Sequence, residues 1–219
     1  MSKKHDSDMR RLAVFDFDCT LVRSETIDLL GEAHGVGSEV TRLTNLAMNG
    51  HIDFFEAIEQ RVQLLAGMDI RTVERVVDSL EPTLGAHETI AALKAANYLV
   101  IVFSGGFSHA TTPFRERLGY KLDFSNHLHV KEGVLTGKVG GPMMFQDSKR
   151  EMLEKLQGLL GITEAHTLVC GDGANDLGMF EHAGVKVAFG NKGVLDKYAD
   201  VVVREPDLRQ VLEAVGLGN

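Results

Sequence analysis

Leu12-Ala13-Val14-Phe15-Asp16-Phe17-Asp18-Cys19-Thr20-Leu21 decides the reading of this chain. Its first four residues are an apolar run bounded upstream by Arg10 and Arg11. That is the pattern of a buried strand, so Asp16 and Asp18 stand where the strand ends. Two carboxylates one residue apart repel each other unless a cation lies between them, and hard divalent ions take oxygen ligands. The stretch is therefore a candidate metal and nucleophile site. Taken alone, an Asp-x-Asp also reads as a solvated loop after a strand, and its company elsewhere in the chain decides between the two.

That company comes in three further pieces. Ser104-Gly105-Gly106 follows the apolar run Leu99-Val100-Ile101-Val102-Phe103, Lys149 comes later, and Gly171-Asp172-Gly173-Ala174-Asn175-Asp176 follows Thr167-Leu168-Val169-Cys170. The two glycine-containing sets each begin where a strand ends, and in open parallel sheets ligands bind at that edge. In this order the four elements resemble the haloacid dehalogenase superfamily of phosphohydrolases: Asp16-Phe17-Asp18-x-Thr20-Leu21 matches its first motif, Ser104 its second, Lys149 its third and Gly171-Asp172-Gly173-x-Asn175-Asp176 its fourth. The match spans nearly the whole chain.

Size and composition agree with such an enzyme. With 219 residues, 44% of them hydrophobic, the chain has enough apolar surface for a substantial core without staples. Cys19 and Cys170 both lie beside motifs and form no metal-ligand or disulfide spacing, which favours a reducing, cytoplasmic compartment. Residues 1–11 carry no apolar stretch that reads as a signal peptide, and nothing approaches the length of a membrane span. A formal charge of -8 disfavours nucleic acid as a partner, since a nucleic-acid binder needs a basic face. It does not disfavour a small phosphorylated substrate, because one cation and one lysine dominate a local field whatever the net charge. Such an enzyme is expected to act as a monomer or homodimer.

The patterning between the first two motifs is helical. Ser38 and Asp53 read as N-caps, Gly50 and Gly67 follow helix ends, and Pro82 and Gly85 mark the return to the main fold. Residues 22–84 are thus an expected helical cap, and residues 1–10 a mobile tail. After the return, 87–96 reads as a helix, 98–103 as a strand and 107–118 as a helix. Two β-rich runs within 127–139 flank Lys131-Glu132-Gly133 as a hairpin. Asp147 caps a helix that ends near Gly161; strands follow at 186–189 and 201–203, and a last helix at 207–215. Alternation of this kind implies a doubly wound, Rossmann-like α/β core with a parallel sheet, residues 11–21 and 85–219, carrying a small inserted helical cap domain.

The resemblance also implies roles. Asp16 is then the nucleophile that forms an aspartyl-phosphate, and Asp18 the acid that protonates the leaving alkoxide and later the base that activates water. Mg²⁺ is held by Asp16, the Asp18 carbonyl and Asp172, with Asp176 behind them through water or as an orienting group. Taken singly, Asp172 and Asp176 also read as helix N-terminal acids. Ser104, the Gly105 amide and Asn175 hold the phosphate at the start of the following helix, and Lys149 offsets the charge of Asp16 and phosphate. Lys149, unlike nearby Lys155, lies in the first turn of its helix and can point to the catalytic edge.

The cap residues resemble those of superfamily members that act on phosphoserine. Glu25 then receives the substrate ammonium, Phe54 closes over the substrate and Arg61 grips the carboxylate, Phe54 and Arg61 sharing one helix face at a spacing of seven. Each also has an ordinary reading, as a helix acid, a core aromatic and a solvated charge. Cys19 stands where serine is usual, and residues 141–145 are more apolar than in those relatives. The implied activity is hydrolysis of phosphoserine in serine biosynthesis. Alternatives are a phosphatase or phosphotransferase for another small phosphomonoester, or a phosphate-binding module without turnover.

Overall fold

Runs of Val, Ile, Leu and Phe that are apolar on every residue, rather than on alternate ones, call for a sheet covered on both faces. The computed structural model, which describes residues 10–48 and 51–218, has this arrangement. Strand β1 is Arg11–Phe15, followed by one wide turn at Phe17–Leu21 and by helices α1 (Thr26–Ala33), α2 (Gly37–Met48), α3 (Phe54–Gln63) and α4 (Ile70–Ser79). Then come α5 (Ala86–Ala95), β2 (Tyr98–Phe107), α6 (Ser108–Leu118), β3 (Leu122–Lys131), β4 (Val134–Gly140) and α7 (Ser148–Leu160). The chain closes with β5 (Thr167–Gly171), α8 (Leu177–Glu181), β6 (Val185–Phe189), β7 (Val201–Val203) and a 3₁₀ helix, Leu208–Val215.

The seven strands are ordered β4-β3-β2-β1-β5-β6-β7, all neighbours parallel except the edge pair β3 and β4. The chain builds outward from β1 to β2 and β3, then crosses to β5 on the other flank of β1. The strand order therefore reverses between β1 and β5, which opens a crevice at their C-terminal ends. Alternate side chains of each strand feed opposite layers. Ala13, Phe15, Val100, Val102, Leu168 and Cys170 pack with α5, α6 and the 3₁₀ helix, whereas Leu12, Val14, Ile101, Phe103 and Val169 pack with α7 and α8.

Helices α1 to α4 are joined to the sheet at a stem and at their far end. At the stem, Val22 bridges Pro82, Thr83 N–H donates to Leu21 C=O at 2.9 Å and Arg23 pairs with Glu81. At the far end the turn between α3 and α4 is stitched to the hairpin: Gly67 N–H donates to Leu135 C=O, Leu135 N–H to Met68 C=O and Ile70 N–H to Gly133 C=O, all within 2.9 Å. The antiparallel edge strand thus serves as a buttress for the helical layer. A third contact explains the apolar segment 141–145: Met143 and Met144 are buried, and the Phe145 ring stacks on Phe55 of α3 at 5.1 Å.

Several sequence expectations shift. Ser38 is no cap, because Val36 C=O already accepts from Glu39 and Val40 and α2 begins at Gly37. Asp53 does cap, accepting from Glu56 N–H at 2.7 Å. Gly67 follows α3 in the left-handed region (φ 86°), while Gly50 and residues 1–9 of the expected tail lie outside the described residues. Asp147 occupies the N-cap position of α7 but makes no side-chain cap bond; Ser148 Oγ accepts from Phe145 N–H instead. Phe107 ends β2 rather than opening α6, since the strand continues past a register shift after Phe103. The last helix is 3₁₀ rather than α, matching the three-residue recurrence of Leu208, Val211 and Ala214 against the core.

Candidate active site

Asp16 leaves β1 at the crevice with its own N–H donating to Cys170 C=O of β5 at 2.9 Å. Its Oδ1 accepts from Phe17 N–H at 2.7 Å and lies 2.7 Å from Lys149 Nζ. The wide turn that follows puts Asp18 in extended backbone and Cys19 in the left-handed region (φ 55°), so that Asp18 turns back towards the crevice. Asp18 Oδ1 accepts from Thr26 N–H at 3.0 Å and from the Thr26 hydroxyl. Gly106 is required here: a Cβ on it would lie 2.5 Å from Asp18 Oδ2.

The loop after β5 is organised by Asp176. Its Oδ2 accepts from Asp172 N–H and Gly173 N–H, both at 3.0 Å, and its Oδ1 accepts from Lys149 Nζ at 2.6 Å. A Cβ on Gly171 would overlap that carboxylate and one on Gly173 would lie 2.6 Å from Asn175 Oδ1, so both positions take glycine. Lys149, 3% exposed in the first turn of α7, thus ties Asp16 to Asp176, whereas Lys155 is 67% exposed on the same helix. Ser104 is buried in the irregular end of β2, not at a helix start as the sequence suggested, and its Oγ accepts from Gly106 N–H.

Carboxylate oxygens of Asp16, Asp172 and Asp176 lie within 4.8 Å of one another, all buried. Burial and the charges of Asp176 and Asp172 push the Asp16 carboxyl well up, against the pull of Lys149. Burial, with Glu25 adding to it, pushes Asp18 up to about 7 despite the Thr26 hydrogen bonds. Burial likewise pushes Asp172 up to about 6, against Lys192. Burial alone would lower Lys149, but Asp16 and Asp176 keep it raised. Hard oxygen donors crowded together and short of positive charge are a set that fits a divalent cation of the Mg²⁺ type.

A carboxyl raised in the folded state binds its proton more tightly there, so the stability it lends is present at low pH and lost as pH rises through the folded value. The metal-free protein is expected to lose stability between about pH 4 and pH 7 on account of Asp18 and Asp172. Added Mg²⁺ should flatten that slope; thermal melts across pH with and without the ion measure it, and parallel curves would contradict it.

Above these groups lies a cavity of about 320 Å³ lined by Asp16, Asp18, Gly105, Asp172 and Asn175 from the sheet edge and by Glu25, Phe54 and Arg61 from the helical layer. All the site residues read from the sequence converge here or, like Ser104, Lys149 and Asp176, directly support those that do. Phe54 presses on the glycine turn, its Cζ 3.0 Å from where a Gly105 Cβ would stand. The Arg61 guanidinium donates to Ala57 C=O and Thr44 Oγ1, and among the described residues no carboxylate is within ion-pair distance of it. Burial pulls its pKa down, against Glu25 and Asp28.

Sequence reasoning missed Lys192, Thr26 and Gln146. Lys192, on the loop after β6, pairs with Asp172 at 2.6 Å and Glu25 at 3.2 Å. A signal was available, since Gly190-Asn191-Lys192-Gly193 follows a strand as the recognised motifs do. Gln146 lines the cavity and donates to Ala174 C=O, and Thr26 anchors Asp18.

The chain is similar to known proteins over most of its length. A family model described as haloacid dehalogenase-like hydrolase matches residues 11–184. The phosphoserine phosphatase of Wolinella succinogenes is 52% identical, over 92% of this chain and 98% of its own. That of Methanocaldococcus jannaschii is 43% identical, over 94% and 98%. A solved phospho-aspartyl intermediate analogue of phosphoserine phosphatase superposes with a TM-score of 0.89 at 43% identity, covering 94% of this chain and 99% of that one. A substrate-bound phosphoserine phosphatase complex does so with a TM-score of 0.89 at 42% identity, covering 94% and 98%.

Proposed function

The chain belongs to the haloacid dehalogenase-like hydrolases, and from that membership we propose that it is a phosphatase hydrolysing O-phosphoserine to serine and inorganic phosphate. One observation carries the substrate assignment: the acid Glu25, the arginine Arg61 and Asp16 line the same cavity. A small zwitterionic phosphoester needs this complement, with its ammonium on Glu25, its carboxylate in the Arg61 fork and its phosphate at Asp16. Residues 22–84 act as the cap that carries this selectivity.

Phosphate monoesters hydrolyse so slowly that enzymes accelerate them by up to about 10²¹-fold, so positioning and charge neutralisation must both be strong. An Asp16 oxygen attacks phosphorus as the seryl C–O–P bridge breaks at its O–P bond, and Asp18 gives its proton to the departing alkoxide. Asp18 then takes a proton from water as that water attacks the phosphorylated Asp16, releasing phosphate and restoring both carboxyls. A carboxyl held near pH 7 suits an acid that must become a base in the next step. Lys149 offsets the charge of Asp16 and the incoming phosphate, while Gly105 N–H, the Ser104 hydroxyl hydrogen and Asn175 orient its oxygens. Mg²⁺, held by Asp16, the Asp18 carbonyl and Asp172 with Asp176 fixing the loop, would supply further charge neutralisation at the phosphate. The corresponding cellular role is the last step of serine biosynthesis in the cytoplasm.

The test compares phosphoserine with phosphoethanolamine, which lacks the carboxylate. Arg61→Ala should lower kcat/KM for phosphoserine by about tenfold or more beyond its effect on phosphoethanolamine, because a charge-assisted hydrogen bond is worth roughly 1.5–3 kcal/mol. Arg61→Lys should restore little, an ammonium being unable to form the planar fork. Equal losses on both substrates would make Arg61 a structural residue of the cap and return the substrate to an unspecified phosphomonoester.

A further inference from the structure

Lys192 is the cation in this cavity that the mechanism leaves without a task. Its Nζ lies 2.6 Å from Asp172 Oδ2 and 3.2 Å from Glu25 Oε1. These acids belong to different parts of the site: Asp172 follows β5 on the sheet edge, and Glu25 stands at the N-terminus of α1 in the helical layer. By the reading above, on which this inference rests, Asp172 takes a divalent cation and Glu25 the substrate ammonium. One lysine ammonium thus contacts both cation-accepting groups, and it is chemically the same kind of group as the amine that Glu25 is to bind.

The surroundings separate Lys192 from a fixed structural lysine. Lys149 is 3% exposed and locked between two buried carboxylates; Lys192 is 39% exposed. It sits between Gly190 (φ 80°) and Gly193 (φ 74°) on a loop that also lines the cavity through Val194. A long unbranched stem on such a loop can carry its ammonium into water. The other ionisable groups on this side, Cys19, Asp18 and Asp16, supply no second cation: the Cys19 Sγ–H donates to Glu25 Oε1, and burial keeps the thiol protonated.

We propose that Lys192 is a specificity-tuning placeholder, an internal cation that competes with the metal ion for Asp172 and with the substrate amine for Glu25. Binding of either ligand must then work against the lysine. Repulsion between like charges favours its departure once the ligand arrives, and its presence sets a threshold that a weakly held cation or amine does not cross. Among the described residues, the five carboxylates Asp16, Asp18, Glu25, Asp172 and Asp176 would otherwise face only Lys149 and Arg61.

The decisive measurement is calorimetric titration of Mg²⁺ into the metal-free full-length protein without substrate. Lys192→Ala should bind Mg²⁺ about tenfold more tightly than the wild type, and Lys192→Arg, which keeps the charge, should stay near the wild-type value. At saturating Mg²⁺, KM of Lys192→Ala for phosphoserine should fall severalfold, while KM for the analogous phosphoester with hydrogen in place of the amino group stays within twofold. Unchanged or weaker Mg²⁺ binding in Lys192→Ala would overturn the proposal and make Lys192 a support that orients Asp172. Tighter Mg²⁺ binding with both KM values unchanged would overturn its Glu25 half. Failure of the parent reading shows separately, as a wild-type protein that does not hydrolyse phosphoserine.

Discussion

Replacing Asp16 by asparagine is expected to lower phosphoserine turnover by roughly 10⁴-fold or more, the scale seen when a nucleophile is removed from a covalent mechanism. The fold should survive with equal or higher thermal stability. Both halves rest on the same environment. The amide is nearly isosteric and can still accept from Phe17 N–H, but it cannot attack phosphorus. Meanwhile the wild-type carboxyl is raised by burial and by Asp176 and Asp172, so its charge is a net cost to the folded state at neutral pH that Lys149 only partly offsets. Removing that charge trades function for stability. Single-turnover assays and trapping of the phosphorylated protein with Mg²⁺ check the first half, and a thermal melt checks the second. Turnover within a factor of ten of wild type would remove Asp16 from the role of nucleophile.

Lys149→Met should damage activity and stability together. Both of its ion pairs, at 2.7 Å to Asp16 and 2.6 Å to Asp176, are buried, and stripping the cation from a buried pair typically costs about 3–5 kcal/mol. For a chain of this size that corresponds to a Tm lower by roughly 6–20 °C. Asp16 can take up a proton to relieve part of the cost, so the deficit should widen as pH rises. Mg²⁺ should restore some of the lost stability, since another cation then faces the same carboxylates, yet turnover should stay down by about 10²–10³-fold because the charge at the attacked phosphate is no longer offset. A variant with wild-type Tm in metal-free buffer would show that the two carboxylates do not depend on Lys149.

Asp16 and Lys149 also show how much the sequence disclosed. Asp16 could be placed because a four-residue apolar run dictates a strand and the acid follows it directly; that local logic holds for Ser104 and Asp172 too. Lys149 needed the family resemblance, as nothing in the pattern of α7 distinguishes it from Lys155 beyond its place in the first turn. Cap boundaries were less legible. Ser38 looked like a cap, yet the Val36 carbonyl had already opened the helix, a choice made by backbone hydrogen bonds that leave no mark on residue type. The hairpin's task of holding the turn between α3 and α4 could not be read at all, since it depends on main-chain bonds that pair Gly67 and Met68 with Leu135 and Ile70 with Gly133, far apart along the chain.

The sequence by itself determined the strands, the order of the motifs along the chain and the residue types that meet at the sheet edge, because apolar runs, glycine turns and acid spacing are local and survive without knowledge of the fold. Only the tertiary structure decided which charges answer one another. Lys149 joining Asp16 to Asp176, Lys192 spanning Asp172 and Glu25 across 167 positions of sequence, and Phe54 resting on Gly105 all join segments distant along the chain, brought to one edge by a strand order that sets β1 between β2 and β5. Electrostatic coupling depends on distance through space and on the exclusion of water, and neither is written in the spacing of residues along the chain.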